Sequence, residues 1–182
     1  MKPIHRNAFP AYLEAKGFNG TIVEVGVAEG KYAQQLLAVW PFKYIGVDRW
    51  CHIDGYVDIM NGPDAEHEQR YQEALAIIAA AGPRASLLRM DSLAAAATFA
   101  DGSLDMVYID ADHSLEGCCA DIHAWYPKVK KGGGIIAGHD YYDKFDAASG
   151  ANFQCRSAVS RMFNGPCGVT HEPCPSWWCE IG

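Results

Sequence analysis

Apolar residues along the chain fall into short runs separated by stretches with helical spacing. Residues 21–27, 43–47, 85–90, 104–109 and 135–137 are rich in β-branched and aliphatic side chains, the pattern of strands buried on both faces. Between them, Tyr32, Leu36 and Val39 mark a helix over 31–39, and Tyr71, Leu75 and Ile78 mark one over 64–81. Pro41 and the pair Gly82-Pro83 stop these two helices. Shorter helices are expected over 7–16, 93–99 and 152–163, and a longer one over 114–129 with Lys128, Lys130 and Lys131 at its C-terminal end, where cations suit the helix dipole. Residues 168–171 and 177–181 read as two strands joined by a Pro-containing turn. Because side chains alternate along a strand, one of Trp177 and Trp178 is expected to face inward.

Strands that alternate with helices five times make a doubly wound α/β domain with a mostly parallel sheet of seven strands, closed by a C-terminal antiparallel hairpin. No linker or repeat interrupts the chain, so residues 1–182 are expected to form one domain, with 1–20 as a helix and lead-in and 21–182 as its core.

Composition narrows the function classes. A net charge of −7 argues against nucleic acid or an anionic membrane as the main partner, since both reward excess Lys and Arg. No run approaches the roughly 20 apolar residues of a membrane span, and the first ten residues hold no secretory signal. The seven cysteines (51, 118, 119, 155, 167, 174 and 179) are odd in number and include no CxxC, which reads as reduced thiols in a cytoplasmic protein. Cys167, Cys174 and Cys179 are either zinc ligands or, the preferred reading, small apolar fillers and a loop thiol.

In a doubly wound sheet, ligands bind outside the carboxyl ends of the strands. The polar residues of this chain gather there: Glu24 to Gly30, Asp48, Asp91, Asp110 to His113, and His139-Asp140. In the first turn, Gly26, Ala28 and Gly30 are small enough to let the backbone approach a ligand. The turn lacks GxGxxG and no Lys-Ser/Thr follows, so a dinucleotide or triphosphate is disfavoured. Asp48, ending the second strand, is placed to accept hydrogen bonds from both hydroxyls of a ribose.

VEVGVAEGKYA followed by YIGVDRW resembles the first two motifs of class I S-adenosylmethionine-dependent methyltransferases, whose pattern is ExGxGxG, with Ala28 in place of the middle glycine. YIDADHSLEGCCADIHAWYPKVKKGGGIIAGHDY is similar to the branch of small-molecule and sugar O-methyltransferases of antibiotic pathways (the cephalosporin hydroxylase and macrocin type). The resemblance implies that Glu24, Gly26, Ala28 and Gly30 shape a pocket for the methionine part of S-adenosylmethionine. It implies that Asp48 holds the ribose, with Arg49 and Trp50 beside it, and that Asp91 and Ser92 lie by the adenine. Trp50 either stacks near that base or is a core or surface tryptophan.

By the same resemblance, Asp110, His139 and Asp140 stand where the catechol and caffeoyl-CoA types hold a divalent cation (Mg²⁺, Mn²⁺ or Fe²⁺). A histidine at 139 suits Mn²⁺, Fe²⁺ or Zn²⁺ better than Mg²⁺, so either the metal differs, His139 turns away, or no metal binds. His113 takes the position of the base that removes the acceptor's proton, with Asp110 also catalytic; the alternative for His113 is a cap on the following helix. Asp112 orients His113, binds metal or caps that helix. In the irregular loop 49–63, His52, Asp54, Tyr56 and Asp58 either face the acceptor or are solvated, and Tyr141 and Tyr142 are candidates for the same pocket.

The expected activity is methyl transfer from S-adenosylmethionine to a hydroxyl of a small molecule. The rival is a non-catalytic protein that binds the same nucleoside. The chain is short for the group it resembles, so the acceptor site is expected to be open or completed by a second copy in a homodimer.

Overall fold

The expected alternation becomes nine strands and six α-helices in a computed structural model, which describes residues 2–165 and 168–182. The strands are β1 (Thr21–Val25), β2 (Lys43–Asp48), β3 (Ala85–Arg89), β4 (Met106–Ile109), β5 (Ile135–Gly138), β6 (Asp143–Phe145), β7 (Asn152–Gln154), β8 (Gly168–Val169) and β9 (Trp177–Glu180). The helices are α1 (Phe9–Glu14), α2 (Lys31–Val39), α3 (Asp64–Ala81), α4 (Ser92–Ala96), α5 (Leu115–Trp125) and α6 (Cys155–Phe163). Seven strands form one sheet in the order β3-β2-β1-β4-β5-β9-β8, and β6 and β7 pair separately. β1 to β5 run parallel, whereas β9 runs antiparallel to both β5 and β8.

The buried strands are apolar on both sides because helices cover both faces. Val23, Val25, Val107 and Ile109 pack towards α4, α5 and α6. Ile22, Met106 and Tyr108 pack towards α1, α2 and α3. This two-sided cover corrects the expectation for the tryptophan pair. Trp177 (0% exposed) joins the first layer and Trp178 (2%) the second, so the alternation along β9 sends one ring into each core.

Three further boundaries differ for identifiable reasons. The helix expected over 114–129 stops at Trp125 and continues as a 3₁₀ turn, Tyr126–Lys128, because Pro127 has no N–H to extend it. The first helix is a 3₁₀ turn, Arg6–Ala8, running into α1 at Phe9-Pro10, where proline is tolerated in the first helical turn. Residues 152–154, expected as helix, are strand β7 and pair with β6.

The register of the sheet sets the site. Val25 lies level with Val47 on β2 and Ile109 on β4, so the residues just past these strands reach one edge together. The Gly26 amide donates to the Val47 carbonyl and the Asp110 amide to the Val25 carbonyl, which ties the β1 turn to both neighbours.

Candidate active site

The turn after β1 is held by its backbone. Gly26 has φ +87°, and a Cβ there would stand 1.9 Å from the Asp110 carbonyl oxygen, so only glycine allows β1 and β4 to end this close together. Gly30, at φ +85°, is the N-cap of α2. Ala28 adopts φ +49°, a left-handed conformation that costs a non-glycine residue about 1 kcal/mol or more. One Asp48 oxygen fixes this turn by accepting from the amides of Val27 and Ala28, both at 2.9 Å, and the other accepts from the Trp50 amide.

Trp50 also has a positive φ, +45°, but its ring is buried against Tyr71, and its indole N–H donates to the Ala28 carbonyl at 2.8 Å. The core alternative therefore holds for Trp50: the ring supports the turn from behind and has no free face for a base. Glu24 is buried beneath the same turn. Burial, partly offset by a 2.6 Å hydrogen bond from the Tyr44 hydroxyl, pushes its carboxyl up to about 8.

A cavity of about 580 Å³ runs along this edge of the sheet, a size typical of small-molecule sites. Asp91 and Ser92 close it at the β3 end. Asp91 pairs with Arg49 and caps α4 through the Ala94 amide. Ser92 donates to Asp121 and accepts from the Trp125 indole. Burial lifts the Asp121 carboxyl to about 6, and its presence in the cavity wall was not evident from the sequence. Glu24, Asp48 and Asp110 line the middle, and His113 and His139 lie at the far end.

His113 stands among three carboxylates. Its Nδ1 is 3.1 Å from Asp58 Oδ2, and its Nε2 is 3.2 Å from Asp140 Oδ2 and 3.5 Å from Asp110 Oδ1. The Nε2 contacts are close in charge but misaligned for a hydrogen bond. Burial disfavours the imidazolium, yet Asp110, Asp140 and Asp58 outweigh it and push His113 up to about 12. As arranged, His113 carries its proton at neutral pH, a state that sequence reasoning did not anticipate for a base. Ser114, not His113, caps α5, and Asp112 accepts from the Ser114 amide just ahead of that helix.

Asp58 arrives from the irregular loop. Its side chain is 3% exposed, while its neighbours Val57 and Ile59 are 55% and 70% exposed. The loop thus turns its carboxylate inward and its apolar residues outward, the reverse of what hydropathy suggests. Tyr56 lines the cavity beside it, whereas His52 and Asp54 remain on the exposed side, where His52 bonds within the loop. Phe153, from the unanticipated strand β7, stacks on the His113 ring at 4.6 Å between centroids. Tyr142 donates to Asp140 at 2.9 Å and Tyr141 packs against the core, and neither lines the cavity.

Asp110, His139 and Asp140 offer ligand atoms within 4.8 Å of one another. Two carboxylates and an imidazole suit Mn²⁺ or Fe²⁺ better than Mg²⁺. Among the described residues this is the one such group, and it includes neither Cys174 nor Cys179; Cys167 lies outside the described residues.

The fold and the small-residue turn define a class I S-adenosylmethionine-dependent methyltransferase. Residues 23–141 match the model of a methyltransferase-domain family, and the chain belongs to that family. Among solved structures, a Corynebacterium glutamicum protein is 18% identical with a TM-score of 0.60, the alignment covering 98% of this chain and 82% of that one. The O-methyltransferase from Bacillus cereus, in complex with SAH, is 14% identical with a TM-score of 0.64, covering 100% and 82%. Spermidine synthase from Thermotoga maritima is 15% identical with a TM-score of 0.58, covering 98% and 57%. At these identities the likeness is one of fold. No curated protein matches the chain. Among the described residues, no helix is long and apolar enough to cross a membrane.

Proposed function

We propose that this chain transfers the methyl group of S-adenosylmethionine to a hydroxyl of a small molecule, with the acceptor held at the His113 end of the cavity. The observation that supports this reading is the continuity of one cavity. It passes from Asp91 and Ser92, past Asp48 and Glu24, to Asp110, His113 and His139. A nucleoside site and an acid–base cluster thereby share one wall.

Bound S-adenosylmethionine supplies an electrophilic methyl group on a sulfonium whose sulfur leaves. The chain must align the acceptor oxygen with that methyl group and receive the hydroxyl proton. His113 is the residue proposed to receive it. For that its ring must first give up the proton it carries in this arrangement. Asp110, His139 and Asp140 are the residues that would hold a divalent metal, which would supply Lewis-acid chemistry at that end of the cavity. Asp58 keeps the His113 ring in place through Nδ1, leaving Nε2 towards Asp110 and Asp140.

Calorimetry with S-adenosylmethionine and S-adenosylhomocysteine, with and without Mn²⁺, tests the cofactor. Binding of neither at millimolar concentration would sink the reading. A methyl-transfer screen over hydroxylated small molecules tests the activity, and His113→Ala is expected to lower turnover by about 100-fold or more. Tight binding of both ligands without transfer to any acceptor would favour the non-catalytic rival.

A further inference from the structure

We propose that Arg6 binds the carboxylate of the amino-acid end of S-adenosylmethionine and so fixes which way round the cofactor lies. The inference rests on the cofactor reading above and extends it to a residue of the lead-in segment that no sequence motif covers.

The sheet order gives the direction. Asp91 follows β3, Asp48 ends β2, Glu24 is on β1 and Asp110 follows β4, and these four strands are consecutive neighbours in the sheet. Three strand spacings put the two ends of the row about 14 Å apart. That span suits adenosine joined to a methionine chain laid across the strand ends. With the nucleoside over β3 and β2, the amino-acid end falls over β1 and β4.

Arg6 reaches the cavity at that end. Its guanidinium lies 4.7 Å from the centre of the Tyr32 ring, beside the Tyr108 hydroxyl, and its side chain is largely buried. Its nearest carboxylate, Glu172, is 3.8 Å from Nε, a loose pairing for a group with five donors. The Tyr32 hydroxyl donates to the Arg6 carbonyl and the Arg6 amide donates to Glu172, so the backbone behind the guanidinium is anchored.

The other arginines and the lysine of the cavity wall are less suited to the task. Arg49 is paired with Asp91 at the opposite end, Lys31 is exposed and paired with Glu29, and Arg70 is bound to Glu66 and the Met60 carbonyl. The wall between them is rich in carboxylates, which would repel the ligand's own carboxylate unless a cation met it. Arg6 provides a planar fork suited to that group, while Asp110 nearby suits its ammonium.

The test compares two ligands that differ only at this end. S-adenosylhomocysteine carries the amino-acid group; 5′-methylthioadenosine keeps adenine, ribose and sulfur but lacks it. By calorimetry, Arg6→Gln is expected to weaken S-adenosylhomocysteine by about 10-fold or more and leave 5′-methylthioadenosine within about twofold of the unaltered protein. Arg6→Lys should recover part of the loss. Retained 5′-methylthioadenosine binding also shows that the variant is folded. Equal weakening of both ligands, or of neither, would overturn the role of Arg6 while the cofactor reading stands. Failure of the unaltered protein to bind either ligand would overturn both.

Discussion

The β1 turn and the His113 cluster share a cavity but are built in different ways. The turn is local: Gly26, Ala28 and Gly30 set its backbone, and Asp48 and Trp50, one strand away, brace it. The cluster is assembled from distant segments. Asp58 comes from the irregular loop, Asp110 and His113 from the end of β4, Asp140 from the end of β5 and Phe153 from β7. The first depends on steric permission, since a single Cβ would break it. The second depends on a balance of charge, since one imidazolium sits among three carboxylates.

That contrast predicts how each region fails. Gly26→Ala should have the largest effect, because its Cβ meets a backbone carbonyl that cannot move without parting β1 from β4. Urea unfolding is expected to show a loss of at least about 3 kcal/mol, with cofactor binding lost as well. A stable Gly26→Ala protein would show that the turn is softer than its geometry implies.

Asp58→Asn attacks the cluster instead. Losing the charged partner of His113 Nδ1 is expected to lower turnover by about 10–100-fold while S-adenosylhomocysteine affinity stays nearly constant. Amide exchange in residues 52–62 should quicken, because the loop loses its inward tether. If affinity fell as far as turnover, the two regions would not be separable.

Glu24 lies beneath the turn and tests its electrostatics. Its folded pKa, about 8, is above the ordinary value of 4.5. The folded state therefore holds a proton that the unfolded state gives up as pH rises, and the corresponding stability is present below pH 4.5 and lost as pH climbs to about 8. Glu24→Gln should flatten that decline, gaining about 1–2 kcal/mol relative to the parent between pH 5 and pH 8 in thermal or urea unfolding. An unchanged slope would assign the pH dependence elsewhere.

The smallest effect is expected at Ala28. Ala28→Gly relieves the left-handed strain at a small entropic cost, so stability should rise by about 0.5 kcal/mol, read as a slightly higher Tm. A fall would mean that the methyl group has a packing role.

The same contrast explains what the sequence revealed. α2 and α3 have the limits their periodicity and stop signals indicate, and the seven-stranded sheet follows from the alternation of strands and helices. The turn was readable because its residues are contiguous and small. The cluster was readable only in part. Asp110, His113, His139 and Asp140 lie at strand ends, where polar residues are conspicuous. Asp58 is ambiguous in the sequence because its exposed apolar neighbours mask an inward carboxylate, and Phe153 falls within the helix expected over 152–163. Arg6 precedes the motifs altogether and reaches the cavity only through tertiary packing. The charge state of His113 is likewise a property of three approaching carboxylates, not of local spacing.

Two of the five tryptophans send their indole N–H into the cavity wall, Trp50 to the Ala28 carbonyl and Trp125 to the Ser92 hydroxyl. Each is a native fluorophore with its polar edge bonded to a residue that a ligand would touch. The unlabelled protein therefore carries two optical probes, one behind the first turn and one at the β3 end, so ligand occupancy along the cavity is legible in its own emission.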